Sequence, residues 1–94
     1  MKRNANFLLR EVAGAVVVVP VGAAARSFPG MMRLNESGRF LWELLEQHQT
    51  QESLVNAMIN RYQVGWTQAT EDVAAFLTRI RSVGALEEED HETL

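Results

Sequence analysis

Four consecutive valines, Val16 to Val19, constrain this chain more than any other feature. β-Branched side chains fit a pleated sheet and lose freedom in a helix, so Ala15–Val21 is expected to be extended. Pro20 cannot donate to a ladder and marks where regular pairing ends. Upstream, "FLLREV" (Phe7–Val12) reads as a partner strand, and Ala13-Gly14 between the two runs reads as a hairpin turn with Gly14 supplying the unusual backbone angles. "GAAARSFPG" (22–30) is expected to be a loop, with Phe28 tucked against the core. "MMRLN", from Met31, is then a third strand, and it passes without a loop into a helical pattern.

The remainder reads as three helices. Asn35 is a good N-cap, with Glu36 well placed for the helix dipole, and Phe40, Leu41, Leu44 and Leu45 form one apolar stripe. Gly38 in the first turn costs about 1 kcal/mol relative to alanine, which calls for a close approach by some other group or is simply tolerated. Thr50 is expected to cap a second helix with the stripe Leu54, Val55, Met58, Ile59 and Tyr62, broken by Gly65. Thr67 is expected to cap a third, with the stripe Val73, Phe76, Leu77, Ile80 and Val83, stopped by Gly84 in the C′ position. The fold class is therefore α+β: an N-terminal three-stranded antiparallel sheet followed by a three-helix bundle, in a winged helix-turn-helix-like arrangement. Residues 1–86 are expected to form a single domain, and 87–94 an acidic, disordered tail with almost nothing to bury.

Composition removes several function classes. The 94 residues are one small domain, 47% apolar and 22% charged, and a chain of this size leaves little room for an internal substrate cavity. The absence of cysteine excludes a disulfide framework, a thiolate zinc site and an iron–sulfur cluster, and it fits a reducing, cytoplasmic location. A net charge of −3 argues against general affinity for phosphate backbones. Arg10 and Glu11 interrupt the apolar stretch after "MKRNANFLL", so the start does not read as a secretory signal, and no run is long enough to span a bilayer.

The residues offer no catalytic constellation. His48 and His91 have no partners at metal-ligand spacing, and Glu87 to Asp90 reads as a solvated tail rather than a cation site. There is no glycine-rich phosphate loop, and Ser37-Gly38 is not a nucleophile elbow. The chain is expected to be no enzyme and to need no cofactor. Two binding modes remain. As a winged helix it would place its third helix in a DNA groove, but Glu71 and Asp72 in the first turns of that helix would face repulsion from phosphates. As a peptide binder it would offer the open edge of the third strand, where Met32 and Leu34 share one face and Met31 and Arg33 the other. On pattern alone these four residues equally well complete the sheet.

The stretches "FLLREVAG", "VVVPVG", "FPGMMRLNESGRFLWELLE", "TQESLVNAMINRY" and "TEDVAAFLTRIRSVGALEE", in this order, resemble the PqqD-like proteins. These are stand-alone recognition elements for precursor peptides that are ribosomally made and then modified. The resemblance covers about Phe7 to Leu86; its most specific parts are "LNESG.F.W" at the strand–helix junction and "DV..FL" with the later "GAL". "GALEE" departs from the commoner GLL or GLI ending. The resemblance implies a winged-helix-like fold without nucleic-acid binding. It implies a leader segment adding as an extra strand to the third strand beside the third helix, and delivery of that peptide to a modifying enzyme, often a radical S-adenosylmethionine protein. The product would be pyrroloquinoline quinone or another modified peptide. Peptide-binding residues assigned on this basis are Met31, Met32, Arg33, Leu34, Asp72, Phe76 and Arg79. Arg79 and Arg81 either meet acidic leader residues or complement the helix dipole, and Asp72 either caps its helix or contacts the leader. No membrane partner is expected, and the oligomeric state is expected to be monomer or weak dimer.

Overall fold

In the computed structural model, which describes residues 1–28 and 30–88, the valine run is the central strand of a three-stranded antiparallel sheet. A short strand β1 (Lys2–Arg3) precedes β2 (Phe7–Val12) and β3 (Ala15–Pro20). One helical turn, α1 (Ala24–Ser27), lies in the segment expected to be loop and leads to β4 (Met32–Leu34). Then follow α2 (Glu36–Leu44), α3 (Gln51–Tyr62), α4 (Trp66–Ser82) and a short strand β5 (Leu86–Glu87). The sheet order β2-β3-β4 leaves β2 and β4 as its two edges, and the three long helices complete the expected α+β arrangement.

The hairpin turn is tighter than glycine alone would make it. Ala13 and Gly14 both have positive φ, 52° and 82°, the combination a type I′ turn requires. The left-handed geometry thus falls on Ala13 as well as on Gly14, because type I′, whose twist matches that of the strands, needs positive φ at both central residues.

One face of the sheet, carrying Phe7, Val18, Met32 and Leu34, packs on Leu41, Leu45, Leu54, Met58, Val73, Leu77 and Ile80 from the helices. Trp42 is 1% exposed and belongs to this core, although the apolar stripe read along α2 omitted it. A stripe registers one wall, and α2 has a second. The N-terminal segment crosses its C-terminal end, where the Arg3 backbone N–H donates to the Leu45 carbonyl (2.9 Å) and the guanidinium to the Trp42 carbonyl (2.9 Å). Phe40 is only partly buried, edge-on to Tyr62 with ring centroids 5.6 Å apart.

Helix ends follow local chemistry, with one correction. The Asn35 side chain accepts the Gly38 N–H at 2.8 Å, and Thr50 and Ser53 form a reciprocal capping box on α3. Thr67 does not cap α4: the helix begins at Trp66, with Gly65 in the extended N-cap conformation and Thr67 inside the first turn. The reason lies upstream, where Gln63 takes the left-handed conformation (φ 57°) and its N–H donates to the Ile59 carbonyl at 3.0 Å. That ends α3 before Gly65 is reached and frees the glycine to start the next helix. Gly84 (φ 84°) closes α4, and the Ala85 N–H returns to the Ile80 carbonyl at 2.8 Å.

β1 and β5 pair with each other and tie the two ends of the fold together, Lys2 opposite Glu87 and Arg3 opposite Leu86. Glu87 therefore sits in a strand, and Glu88 meets Arg81 at 2.6 Å. These two residues of the expected tail are placed within the fold; residues 89–94, including His91, lie outside the described residues. Among the described residues no helix is long and apolar enough to cross a membrane.

Candidate functional site

The orientation of every backbone group along the sheet follows from the hairpin. A two-residue turn makes Val12 and Ala15 a hydrogen-bonded pair, and alternation then directs Arg10 and Val17, and Leu8 and Val19, toward each other. On the other side of β3, Val16 and Val18 face β4 and pair with Leu34 and Met32. The N–H and C=O of Arg33, opposite Val17, consequently point away from the sheet. An independent contact agrees: the Arg33 carbonyl accepts a hydrogen bond at 2.8 Å from the Arg79 guanidinium on α4.

A groove of 210 Å³ opens beside this edge, lined by Asn35, Ser37, Gly38 and Leu41 from the β4–α2 junction and by Asp72, Ala75, Phe76 and Arg79 from α4. Two features hold its walls. Asn35 welds the end of β4 to the first turn of α2, with Oδ1 bonded to the Gly38 N–H and 3.3 Å from the Ser37 hydroxyl. On α4 the spacing 72, 76, 79 places Asp72, Phe76 and Arg79 on one side of the helix. Phe76 is 6% exposed and supplies an apolar floor, while the Asp72 carboxylate accepts from the Gln68 amide at 2.9 Å. The groove thus has a cationic end, an anionic end and an apolar base. Fixed charges of both signs and an apolar base lie beside the outward backbone groups of Arg33.

The sequence-assigned residues divide by depth. Asp72, Phe76 and Arg79 come together around the groove. Arg33 contributes an exposed side chain and the outward backbone groups. Met32 and Leu34, at 7% and 6% exposure, face the core, and their backbones pair with β3, so neither presents a group to the open edge. Met31 is 57% exposed and precedes β4. Arg81 is turned elsewhere, bonded to Glu88 rather than lining the groove. Asn35, Ser37, Gly38 and Leu41 join the groove lining without being among the sequence-assigned residues; the "LNESG.F.W" pattern at the strand–helix junction is the signal that points to them.

A larger groove of 660 Å³ lies against the other edge, lined among others by Arg3, Phe7, Leu9, Trp42 and Glu46. Alternation points the Phe7 and Leu9 backbone groups outward there. The Phe7 N–H is spent on the Asn4 carbonyl (3.1 Å), and Arg10 caps the Leu9 carbonyl (3.1 Å). Both edges thus carry an arginine on an outward carbonyl: on β2 it is the strand's own Arg10, with the Phe7 N–H also taken by the lead-in, whereas on β4 it reaches over from α4 beside the groove. Among the described residues no three metal-ligating side chains converge.

Comparison with known proteins adds to this geometry. A solved structure described as TbiB1 in complex with the TbiA(beta) leader peptide is similar in fold, with a TM-score of 0.74 and 22% sequence identity over 97% of this chain and 100% of that one. No curated protein matches the chain. The family model for coenzyme PQQ synthesis protein D (PqqD) matches residues 8–86, spanning both edges of the sheet and all of the groove. The chain belongs to the PqqD family.

Proposed function

We propose that this chain is a peptide-binding module that captures the leader segment of a ribosomally made precursor peptide by strand addition to β4 and presents it to a modifying enzyme. The observation that carries the reading is the outward-facing backbone of Arg33 across a groove from α4. Backbone pairing supplies affinity with little demand on sequence, and the groove supplies choice. PqqD membership and the fold shared with a protein solved on a leader peptide support the same role. The modifying enzyme is of the radical S-adenosylmethionine type, acting in pyrroloquinoline quinone formation or on another modified peptide. The module itself contributes binding and no catalysis, works in the cytoplasm without a cofactor, and forms its fold as one domain, monomeric or weakly dimeric.

The test is fluorescence anisotropy with labelled peptides covering the N-terminal halves of short open reading frames beside the gene, alongside a labelled DNA duplex. A leader is expected to bind with a dissociation constant of order micromolar or tighter, about 8 kcal/mol or more. The duplex is expected to bind negligibly at physiological salt, given the net charge of −3 and the exposed Glu71 on α4. Salt-sensitive duplex binding stronger than any peptide binding overturns the reading in favour of a winged-helix DNA-binding regulator.

A further inference from the structure

We propose that Arg79 is a displaceable cap on the β4 edge, and that its displacement makes the groove selective for peptides carrying a carboxylate next to Arg33. This rests on the peptide-binding reading above and goes beyond it by naming the chemistry of the preferred ligand and the residue that chooses it.

β4 has three residues, and alternation leaves Arg33 as the one within it whose N–H and C=O face the open side. Any added strand must make its central rung there. The Arg33 carbonyl is already occupied: the Arg79 guanidinium holds it at 2.8 Å, reaching from α4 across the gap that the added strand would fill. The cap protects an otherwise open edge from pairing with a second copy of the chain. It also sets a condition on the ligand. A peptide N–H can take the carbonyl only if the guanidinium leaves, and the guanidinium, with five donors and no acceptor, then needs a new anion or carbonyl. A carboxylate on the incoming strand is the best replacement, because it accepts two of those donors in parallel and matches the charge.

The neighbours of Arg79 sharpen the condition. Arg81 is committed to Glu88 at 2.6 Å and does not line the groove, so it does not duplicate the cation. Asp72, two turns back along α4 in the same groove, repels a second carboxylate at that end. The acidic preference is therefore expected at one position of the bound peptide rather than along its length. Gly38 and Asn35, which hold the opposite wall, carry no charge.

The test pans a phage-displayed library of short random peptides on the immobilised full chain and on the Arg79→Ala and Arg79→Glu variants. Arg79 is exposed at the surface of α4, and thermal melts are expected to show both variants folded like the parent. The parent is expected to enrich Asp or Glu at one aligned position. A synthetic peptide from that pool is expected to lose about tenfold in affinity when the acid is changed to its amide. In Arg79→Ala the same pair of peptides is expected to differ by less than about twofold, and Arg79→Glu is expected to select Lys or Arg at that position. Selected peptides with no acidic preference overturn the proposal while leaving peptide binding standing. So does an acidic preference that survives in Arg79→Ala. If no library peptide binds any of the three proteins, strand addition itself fails, and the selectivity proposal falls with it.

Discussion

The oxygen of the Asn35 side chain accepts the Gly38 N–H at 2.8 Å and would lie only 3.1 Å from a Cβ at that glycine. The close approach that a glycine in a helical first turn calls for is thus made by the helix's own cap. The cap and the missing Cβ are one device, and they fix the end of β4 to α2 at the groove wall.

The two residues should therefore be energetically coupled. Asn35→Ala is expected to cost about 1 kcal/mol through loss of the cap. Gly38→Ala alone is expected to gain little, because its helix propensity is offset by pressure on the Asn35 oxygen. Combined with Asn35→Ala, the same change is expected to recover about 1 kcal/mol, bringing the double variant close to the parent. Urea unfolding of the four proteins measures this, and strictly additive effects would contradict it.

Ala13 gives a stabilising substitution. An alanine at φ 52° carries a steric cost of about 1–2 kcal/mol that glycine or asparagine largely escapes. Ala13→Asn is expected to raise stability by roughly 0.5–1 kcal/mol, which for a domain of this size is a rise in Tm of about 2–8 °C. Differential scanning calorimetry reads it directly. An unchanged or lower Tm would mean that the turn relaxes in solution.

Proline substitution along β4 should separate folding from binding with a defined parity. Met32 and Leu34 pair with Val18 and Val16, so proline at either removes a ladder donor and orphans its partner, at a cost of roughly 1–3 kcal/mol or more. Proline at Arg33 removes an outward N–H, and proline is tolerated on edge strands in that orientation. Arg33→Pro is expected to stay folded and lose peptide affinity. Proline at Glu11, whose N–H faces the other edge, is the control and is expected to bind normally. Circular dichroism melts with peptide titrations settle the pattern, and a folded Arg33→Pro that binds normally would remove β4 as the docking strand.

Tyr62 offers a check on the interior between α2 and α3. Its ring is edge-on to Phe40, and its buried hydroxyl has no hydrogen-bond partner among the described residues. Burying such a group without a partner costs about 1–3 kcal/mol, so Tyr62→Phe is expected to be neutral or stabilising by about 1 kcal/mol. A loss of stability on chemical denaturation would show that the hydroxyl finds a partner in solution.

What the sequence determined by itself was most of what depends on near neighbours along the chain, the single turn α1 and the start of α4 excepted. The valine run made β3, Asn35 and Thr50 capped α2 and α3, and the apolar stripes of α3 and α4 placed Leu54, Met58, Val73, Phe76, Leu77 and Ile80 toward the interior. Even the alternation at β4 was legible as two faces, Met32 and Leu34 on one and Met31 and Arg33 on the other, although only packing on the helices showed the first pair to be buried. Such features are set by backbone sterics and a period of 2 or 3.6, which a few residues suffice to display. Tertiary structure decided the rest. β1 and β5 are two residues each, too short for any period, and they exist because they find each other across the chain. Trp42 is buried because Arg3 and the N-terminal segment cover it. Thr67 is the local exception: it lost the capping role to Gly65 because Gln63, a near neighbour, had already ended α3 in the left-handed conformation. Most consequential for function is the contact of Arg79 with Arg33, 46 residues apart in sequence. Local pattern could assign each residue to an exposed face, but only packing α4 beside the sheet sets a guanidinium across the open edge of β4.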